Sequence, residues 1–246
     1  MDALFADPVP PGLIYLGADI HGSLHSLKRP PGAKPGQTML MRYDIFDPLP
    51  VAEPFDAVIC RASIHHTPDP AKTFASLRSV LTSDGVLAIS AYALKSRLRE
   101  TMDDGLRAQI KPLPNDKALK VANELTQLAR AIQQVPGKIE IGQDLEWLGI
   151  PKGSYGVHEL IYDHMMKCWF NETFGEQYSD VVNFDWYHPT YAYRYRQDDL
   201  KTWFSRHSLD VIATASTKAQ HYLEGVPRNN NSRVVPSTSQ SDTTAP

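Results

Sequence analysis

Two adjacent imidazoles, His65 and His66, lie near the end of the stretch FDAVICRASIHHTPDP (55–70), where an apolar run passes directly into polar residues and prolines. An imidazole titrates near neutrality, so either ring can take a proton from an acceptor hydroxyl or amine. The competing reading is structural, with one ring hydrogen-bonded in the turn and the other exposed. Adjacent residues on extended chain point in different directions, so His65, His66 and Asp69 make a poor metal-ligand set, and no metal is expected. Arg61 and Ser63 stand between the apolar run and the imidazoles, where they can touch a ligand; Arg61 can equally pair with a surface acid. Two carboxylates, Asp19 and Asp44, each close a short apolar run, LIYLGAD (13–19) and TMLMRYD (38–44). At the carboxyl end of a parallel strand such a group can accept both hydroxyls of a ribose; the alternative is that it caps a turn. FDWYHPTYAYRYR (184–196) holds six aromatics in thirteen positions, with Arg194 and Arg196. It suits either the wall of an acceptor pocket or packing between layers, and Tyr187 and His188 are the residues best placed there to reach a substrate.

The elements that position these groups read as α/β. LIYLGAD, TMLMRYD and FDAVICRAS (55–63) are strands, the last without alternation, as expected of a strand covered on both faces. GSLHSLKR (22–29) reads as a brief helix and PPGAKPGQ (30–37) as a loop. PAKTFASLRSVL places Phe74, Leu77, Val80 and Leu81 on one helical face, TSDG ends that helix, and VLAISAY (86–92) is a buried strand. Strand, helix and strand in this order predict a right-handed crossover and a parallel sheet. Residues 97–182 are mostly helical in character and too long for a plain crossover. They read as an inserted cap, its clearest helix being 116–135 with a stripe of Leu119, Ala122, Leu125, Leu128, Ala129 and Ile132. DDLKTWFSRHS (198–208) reads as a helix and LDVIATAS (209–216) as a returning strand. The expected organisation is a core over 1–96 and 183–224, the cap over 97–182, and a disordered tail over 225–246.

Composition narrows the function classes. The 246 residues carry a net charge of −3 at a pI near 6.3, which argues against nucleic acid as a partner. No apolar run approaches a membrane span, so no membrane partner is expected. MDALFADPVPPG has no basic segment and is not expected to act as a secretory signal. Cys60 and Cys168 make no disulfide framework, and a cytoplasmic setting is the default. A nicotinamide oxidoreductase would require a G-x-G-x-x-G turn, which the chain lacks.

In this order, YLGADIHGSL, MRYDIFDPLP and the block FDAVICRASIHHTPDPAKTFASLRSVLTSDGVLAIS resemble the second, third and fourth-to-fifth strand regions of class I S-adenosylmethionine-dependent methyltransferases. FDWYHPTYAYRYRQDDLKTWFSRHSLDVI resembles the family's segment leading into its sixth strand. The resemblance covers 13–92 and 184–216. It implies a Rossmann-like, mostly parallel sheet with S-adenosyl-L-methionine as cofactor, held by Asp19, Ile20, Asp44, Ile45, Arg61 and Ser63. It further implies methyl transfer to a small-molecule acceptor, with His65 and His66 as the catalytic candidates and Tyr187 and His188 at the substrate. One departure stands beside it: no glycine-rich loop precedes Asp19, so the family's first strand and helix are expected to be missing. The alternative this suggests is an inactive methyltransferase-like remnant acting as a binding or scaffolding subunit. An exposed sheet edge would then be open to self-association; the sequence leaves the oligomeric state open.

Overall fold

The apolar runs condense into strands, and the computed structural model describes residues 12–21, 33–34 and 36–228. β1 (Tyr15–Asp19) and β2 (Thr38–Arg42) pair in parallel, with Asp19 opposite Arg42. β3 (Phe55–Cys60) pairs in parallel with β4 (Leu81–Tyr92), and α1 (Pro70–Ser79) makes the crossover between them. Pro70 opens α1, where its missing N–H costs nothing, and the Asp69 carboxylate accepts the Lys72 amide at 3.0 Å. After the cap, α6 (Gln197–Arg206) leads to β7 (Leu209–Ser216) and β8 (Gln220–Pro227). The four-stranded sheet runs β3-β4-β8-β7, with β8 antiparallel to both neighbours.

The core forms where α1 and α6 cover this sheet. Ile64, Phe74, Leu87, Leu200, Phe204, Leu209 and Leu223 are all fully buried there, each contributing about 1.5–3 kcal/mol of transfer free energy. The cap consists of α2 (Arg97–Ile110), α3 (Asn115–Gln133), a hairpin of β5 (Lys138–Ile141) and β6 (Gly153–Gly156), α4 (Val157–His164) and α5 (Gly175–Tyr187). Asn183 is buried where α5, α3 and the 165–170 segment meet. It exchanges two hydrogen bonds of 2.9 Å with the Trp169 backbone and donates to Thr126 Oγ1 at 3.0 Å. No helix among the described residues is long and apolar enough to cross a membrane.

The α/β, Rossmann-like architecture stands as expected, and its sheet is mixed because of β8. Gly225, expected to begin the tail, lies inside β8 opposite Leu87 and Val211. It is there for close approach rather than as a breaker: a Cβ would lie 2.5 Å from the Phe204 ring. TSDG does not cap α1 but forms the bulged start of β4, where a Cβ on Gly85 would meet the Asp56 carbonyl at 2.9 Å. β3 is not covered on both faces: it is an edge strand, with Asp56 and Ala57 exposed and Ile59 52% exposed. The α3 stripe is rotated from the expected one, since Ala118, Ala122, Leu125, Thr126 and Ala129 are buried while Leu119 and Leu128 are exposed. The β5–β6 hairpin interrupts a cap expected to be mostly helical, and α5 runs five residues past the expected boundary at 182. The brief helix read at 22–29 lies outside the described residues, as does the tail beyond 228.

The contact at Gly225 yields a stability test. Gly225→Ala is expected to lower unfolding free energy by about 1–3 kcal/mol through overpacking against Phe204. Gly105→Ala, in α2 with open space around it, is expected to raise it by up to about 1 kcal/mol. Urea midpoints at constant m-value check both.

Candidate active site

β1 and β2 run parallel, so their carboxyl ends form one rim. Asp19 and Asp44 are neighbours on it, because the Tyr43 amide donates to the Asp19 carbonyl at 2.8 Å. One oxygen of each carboxylate is engaged locally: Asp19 accepts the His21 amide at 2.8 Å, and Asp44 accepts the Phe46 amide at 2.9 Å. The second oxygen of each has no hydrogen-bond partner among the described residues. Ile20 projects at the same rim with 61% of its surface exposed. Ile45 instead packs against the core cluster containing Cys60 and Ile64, and Lys72 Nζ stands 4.4 Å over the Phe46 ring. That packing sets the Asp44 turn against the loop following β3.

That loop is strained where it leaves the strand. Ala62 takes φ of 52°, and its amide donates to Ser90 Oγ at 2.9 Å. A non-glycine residue held in this region costs about 1 kcal/mol or more and persists because its surroundings hold it. Arg61 is exposed, and the Ser63 hydroxyl donates back to the Arg61 carbonyl at 3.0 Å. A short 3-10 turn, Ile64–His66, follows and separates the two imidazoles.

His65 is fully buried, its ring 3.8 Å from that of Tyr92, and neither nitrogen has a hydrogen-bond partner among the described residues. Burial, reinforced by the neighbouring His66, pushes its pKa down to about 3. His66 is half-buried, its side chain 21% exposed, and its Nε2 is closed off from solvent. Its Nδ1 lies 2.7 Å from the Tyr191 carbonyl, and its Nε2 lies 3.6 Å from Asp185 Oδ2. The carbonyl accepts from Nδ1–H, and Nε2 faces the carboxylate, so a proton on Nε2 is directed at Asp185. Asp185 Oδ2 also accepts the Tyr92 hydroxyl. Burial works to raise the Asp185 pKa, but hydrogen bonding and charge from His66, with the Tyr92 bond, outweigh it and hold the carboxyl below its usual range. Tyr92 is pushed upward by burial and by the Asp185 charge, so its phenol stays a donor. The Asp185 side chain is 51% exposed. The array is therefore a solvent-reached carboxylate flanked by a phenol donor and an imidazole.

Tyr187 and His188 lie elsewhere. The Tyr187 hydroxyl is buried between Asp103 Oδ1 at 2.7 Å and the Lys167 carbonyl at 2.8 Å. His188 Nε2 lies 2.9 Å from the Leu113 carbonyl. Both are bound to partners within the cap. Tyr92 and Asp185 were missed in the sequence reading, although Tyr92 closes the AISAY strand and Asp185 sits inside the aromatic stretch. Asp103 was missed as well. Wholly buried in α2, it accepts from Arg99 Nε at 3.2 Å, Trp186 Nε1 at 2.8 Å and the Lys167 amide at 2.9 Å, besides Tyr187.

Residues 40–146 match the family model described as a methyltransferase domain. No curated protein matches the chain. The structure of PKMT2 from Rickettsia typhi in complex with AdoHcy superposes with a TM-score of 0.51 at 13% identity, over 88% of this chain and 44% of that one. An O-methyltransferase family protein from Burkholderia thailandensis gives a TM-score of 0.40 at 11% identity, over 90% of this chain and 46% of that one. The chain thus spans less than half the length of either structure. Its fold is that of the class I S-adenosylmethionine-dependent methyltransferases.

Two stability predictions follow from the buried groups. His65 binds a proton less readily folded than unfolded, so stability is present above the ordinary imidazole pKa near 6.5 and falls by up to about 1.4 kcal/mol per pH unit as pH drops from there towards 3. His65→Phe keeps a ring against Tyr92 and is expected to flatten that slope in urea titrations between pH 7 and 4. Asp103→Asn leaves the buried Arg99 guanidinium without its counter-charge and is expected to cost about 3–5 kcal/mol by the same measurement.

Proposed function

We propose that the chain binds S-adenosyl-L-methionine along the Asp19–Asp44 rim and presents a small-molecule acceptor to it beside the Tyr92–Asp185–His66 array. The adjacency of the two strand-end carboxylates, each with an unengaged oxygen, is the observation that carries this reading. The residues fit the nucleoside half of the cofactor: Asp19 would accept ribose hydroxyls, Asp44 would face the adenine edge, and Ile20 and Ile45 would offer apolar contact to either side. Arg61, exposed after β3, would face the cofactor carboxylate, with Ser63 holding its backbone. The solved neighbour in complex with AdoHcy supports this choice of cofactor.

When bound, the cofactor supplies an electrophilic methyl group on a sulfonium. The chain's own contribution is alignment and proton handling. The acceptor hydroxyl or amine would sit against the exposed Asp185 carboxylate, passing its proton through that carboxylate to His66 Nε2 as its lone pair takes the methyl. Tyr191 fixes the tautomer through Nδ1. Asp185, 3.6 Å away, would stabilise the imidazolium, and Tyr92 would hold Asp185 in place. His65, fully buried and held neutral, serves as the packed ring behind Tyr92. Tyr187 and His188 would act on the substrate only indirectly, by locking the cap that excludes water.

Isothermal titration with S-adenosylhomocysteine tests the reading. Micromolar binding is expected, weakened about 10–100-fold by Asp19→Ala, as removal of a charge-assisted hydrogen bond requires, and unchanged by His66→Gln. With an acceptor supplied, His66→Gln is expected to slow methyl transfer about 10²–10⁴-fold. A flat wild-type titration would overturn the proposal and leave a fold retained as a binding or scaffolding subunit.

A further inference from the structure

Four cations surround the indole of Trp186: Lys167 Nζ at 4.8 Å from the ring centroid, Arg99 Cζ at 5.3 Å, Lys95 Nζ at 5.7 Å and Arg194 Cζ at 5.9 Å. Two of them are neutralised within the protein. Arg99 pairs with Asp103, and Arg194 pairs with Glu100 and Asp104. The lysines are not: neither amine joins an ion pair among the described residues. Lys95 Nζ donates to the Lys218 carbonyl, whereas Lys167 Nζ makes no hydrogen bond at all among the described residues.

Lys167 is 93% withdrawn from solvent (7% exposed), and its placement is enforced. Its amide donates to Asp103 and its carbonyl accepts from Tyr187, so the backbone is clamped on both sides while the amine is left over the indole face. The amine meets no acceptor among the described residues, only an aromatic face and the little water that reaches it, and that face offsets only part of the cost of its partial desolvation. Burial first, then like charge from Arg99 and Lys95, pulls the Lys167 pKa down to about 7, against the opposing pull of Asp185 and Asp103. Lys95 is lowered to about 8 for the same leading reason. Such a pair is short of one oxyanion. Asp185, which faces His66, and Trp186, over whose ring the Lys167 amine lies, are adjacent residues of α5, so the amines and the His66–Asp185 array share one helical turn.

Resting on the methyl-transfer reading above, we infer that Lys167 and Lys95 receive an oxyanion, a carboxylate or phosphate group carried by the acceptor, and so set its nucleophilic atom against Asp185. The acceptor class is then a small anionic molecule bearing a hydroxyl or amine within reach of its charged group. A neutral acceptor of the same shape would leave the Lys167 amine unpaired and would bind poorly.

Calorimetric titration of the intact chain with sodium sulfate and with benzoate tests this, because neither probe titrates between pH 6 and 9. Binding of at least one probe is expected at pH 6.5, weakened tenfold or more by Lys167→Met and by Lys95→Met, and unchanged by Lys201→Met on the exposed face of α6. Benzoate as the tighter probe would mark a carboxylate acceptor, and sulfate a phosphate ester. Asp185→Asn serves if Lys167→Met fails to fold: removing the competing carboxylate is expected to tighten the probe threefold or more. Probe affinities unmoved by all three site substitutions overturn the inference. The two readings fail separately, since a flat S-adenosylhomocysteine titration with intact probe binding removes the methyl transfer and leaves the oxyanion site.

Discussion

One buried carboxylate organises the cap. Asp103 receives hydrogen bonds from a guanidinium, an indole, a phenol and a backbone amide, donated by α2 itself, by α5 and by the 165–170 segment. A charge taken from water is tolerated only when its lone pairs are filled this completely. The demand runs both ways, because each donor needs the carboxylate as much as the carboxylate needs it. Tyr187, Trp186 and Lys167 are thereby placed to within hydrogen-bond tolerance. Trp186 in turn stacks on Tyr92 at 4.6 Å, and Tyr92 on His65 at 3.8 Å. A continuous column of rings therefore runs from the cap to the loop after β3, and it fixes where Asp185 meets His66. The candidate site is built by this column more than by any element the site residues belong to.

That dependence explains which parts were legible in the sequence. Strands ending in Asp19 and Asp44 could be read because apolar runs and terminal carboxylates are local patterns, and parallel pairing follows from the order of elements. The histidine pair was legible for the same reason. Its division of labour was not: whether His65 or His66 faces Asp185 depends on a 3-10 turn and on Tyr92, 27 positions from His65. Asp185 was hidden in an aromatic stretch that suggested packing, and its partnership with His66 spans 119 positions. Gly225 and Gly85 misled in the opposite direction. Gly225 suggested the start of the tail and Gly85 a helix stop, but here each is needed because a ring or a carbonyl comes too close for a Cβ. The β5–β6 hairpin offered four-residue strands, one holding two glycines, too short for any period to declare itself.

The edge position of β3 has a consequence for the loop that follows it. A strand paired on one side leaves its loop less constrained than a central strand would, yet this loop carries the positive φ of Ala62 and both imidazoles. Ser90, almost wholly buried on β4, supplies the missing restraint by accepting the Ala62 amide. Position 62 is thus fixed by a side chain from the neighbouring strand rather than by the ladder. The Asp44 turn adds a second restraint through Ile45 on the shared core. The rim carboxylates and the imidazoles are connected by packing although β1–β2 and β3–β4 belong to separate hydrogen-bonded sheets.

The distribution of charge around Trp186 separates folding from recognition. Arg99, Arg107 and Arg194 each have fixed acceptors, Arg107 donating to the Trp186 and Pro189 carbonyls. Planar guanidinium groups with several donors suit such permanent roles. The lysines carry compact charges on flexible stems, and the more deeply buried of them has no acceptor. If folding alone had set that position, an apolar side chain of similar length would fill the space over the indole without the cost of desolvating an amine. A lysine held there is therefore better explained by something it meets after folding. Trp186 and Asp185 are adjacent on α5, so the lysine over the indole and the imidazole beside the carboxylate are held by one turn of helix, and recognition of charge and handling of the proton would depend on the same packing.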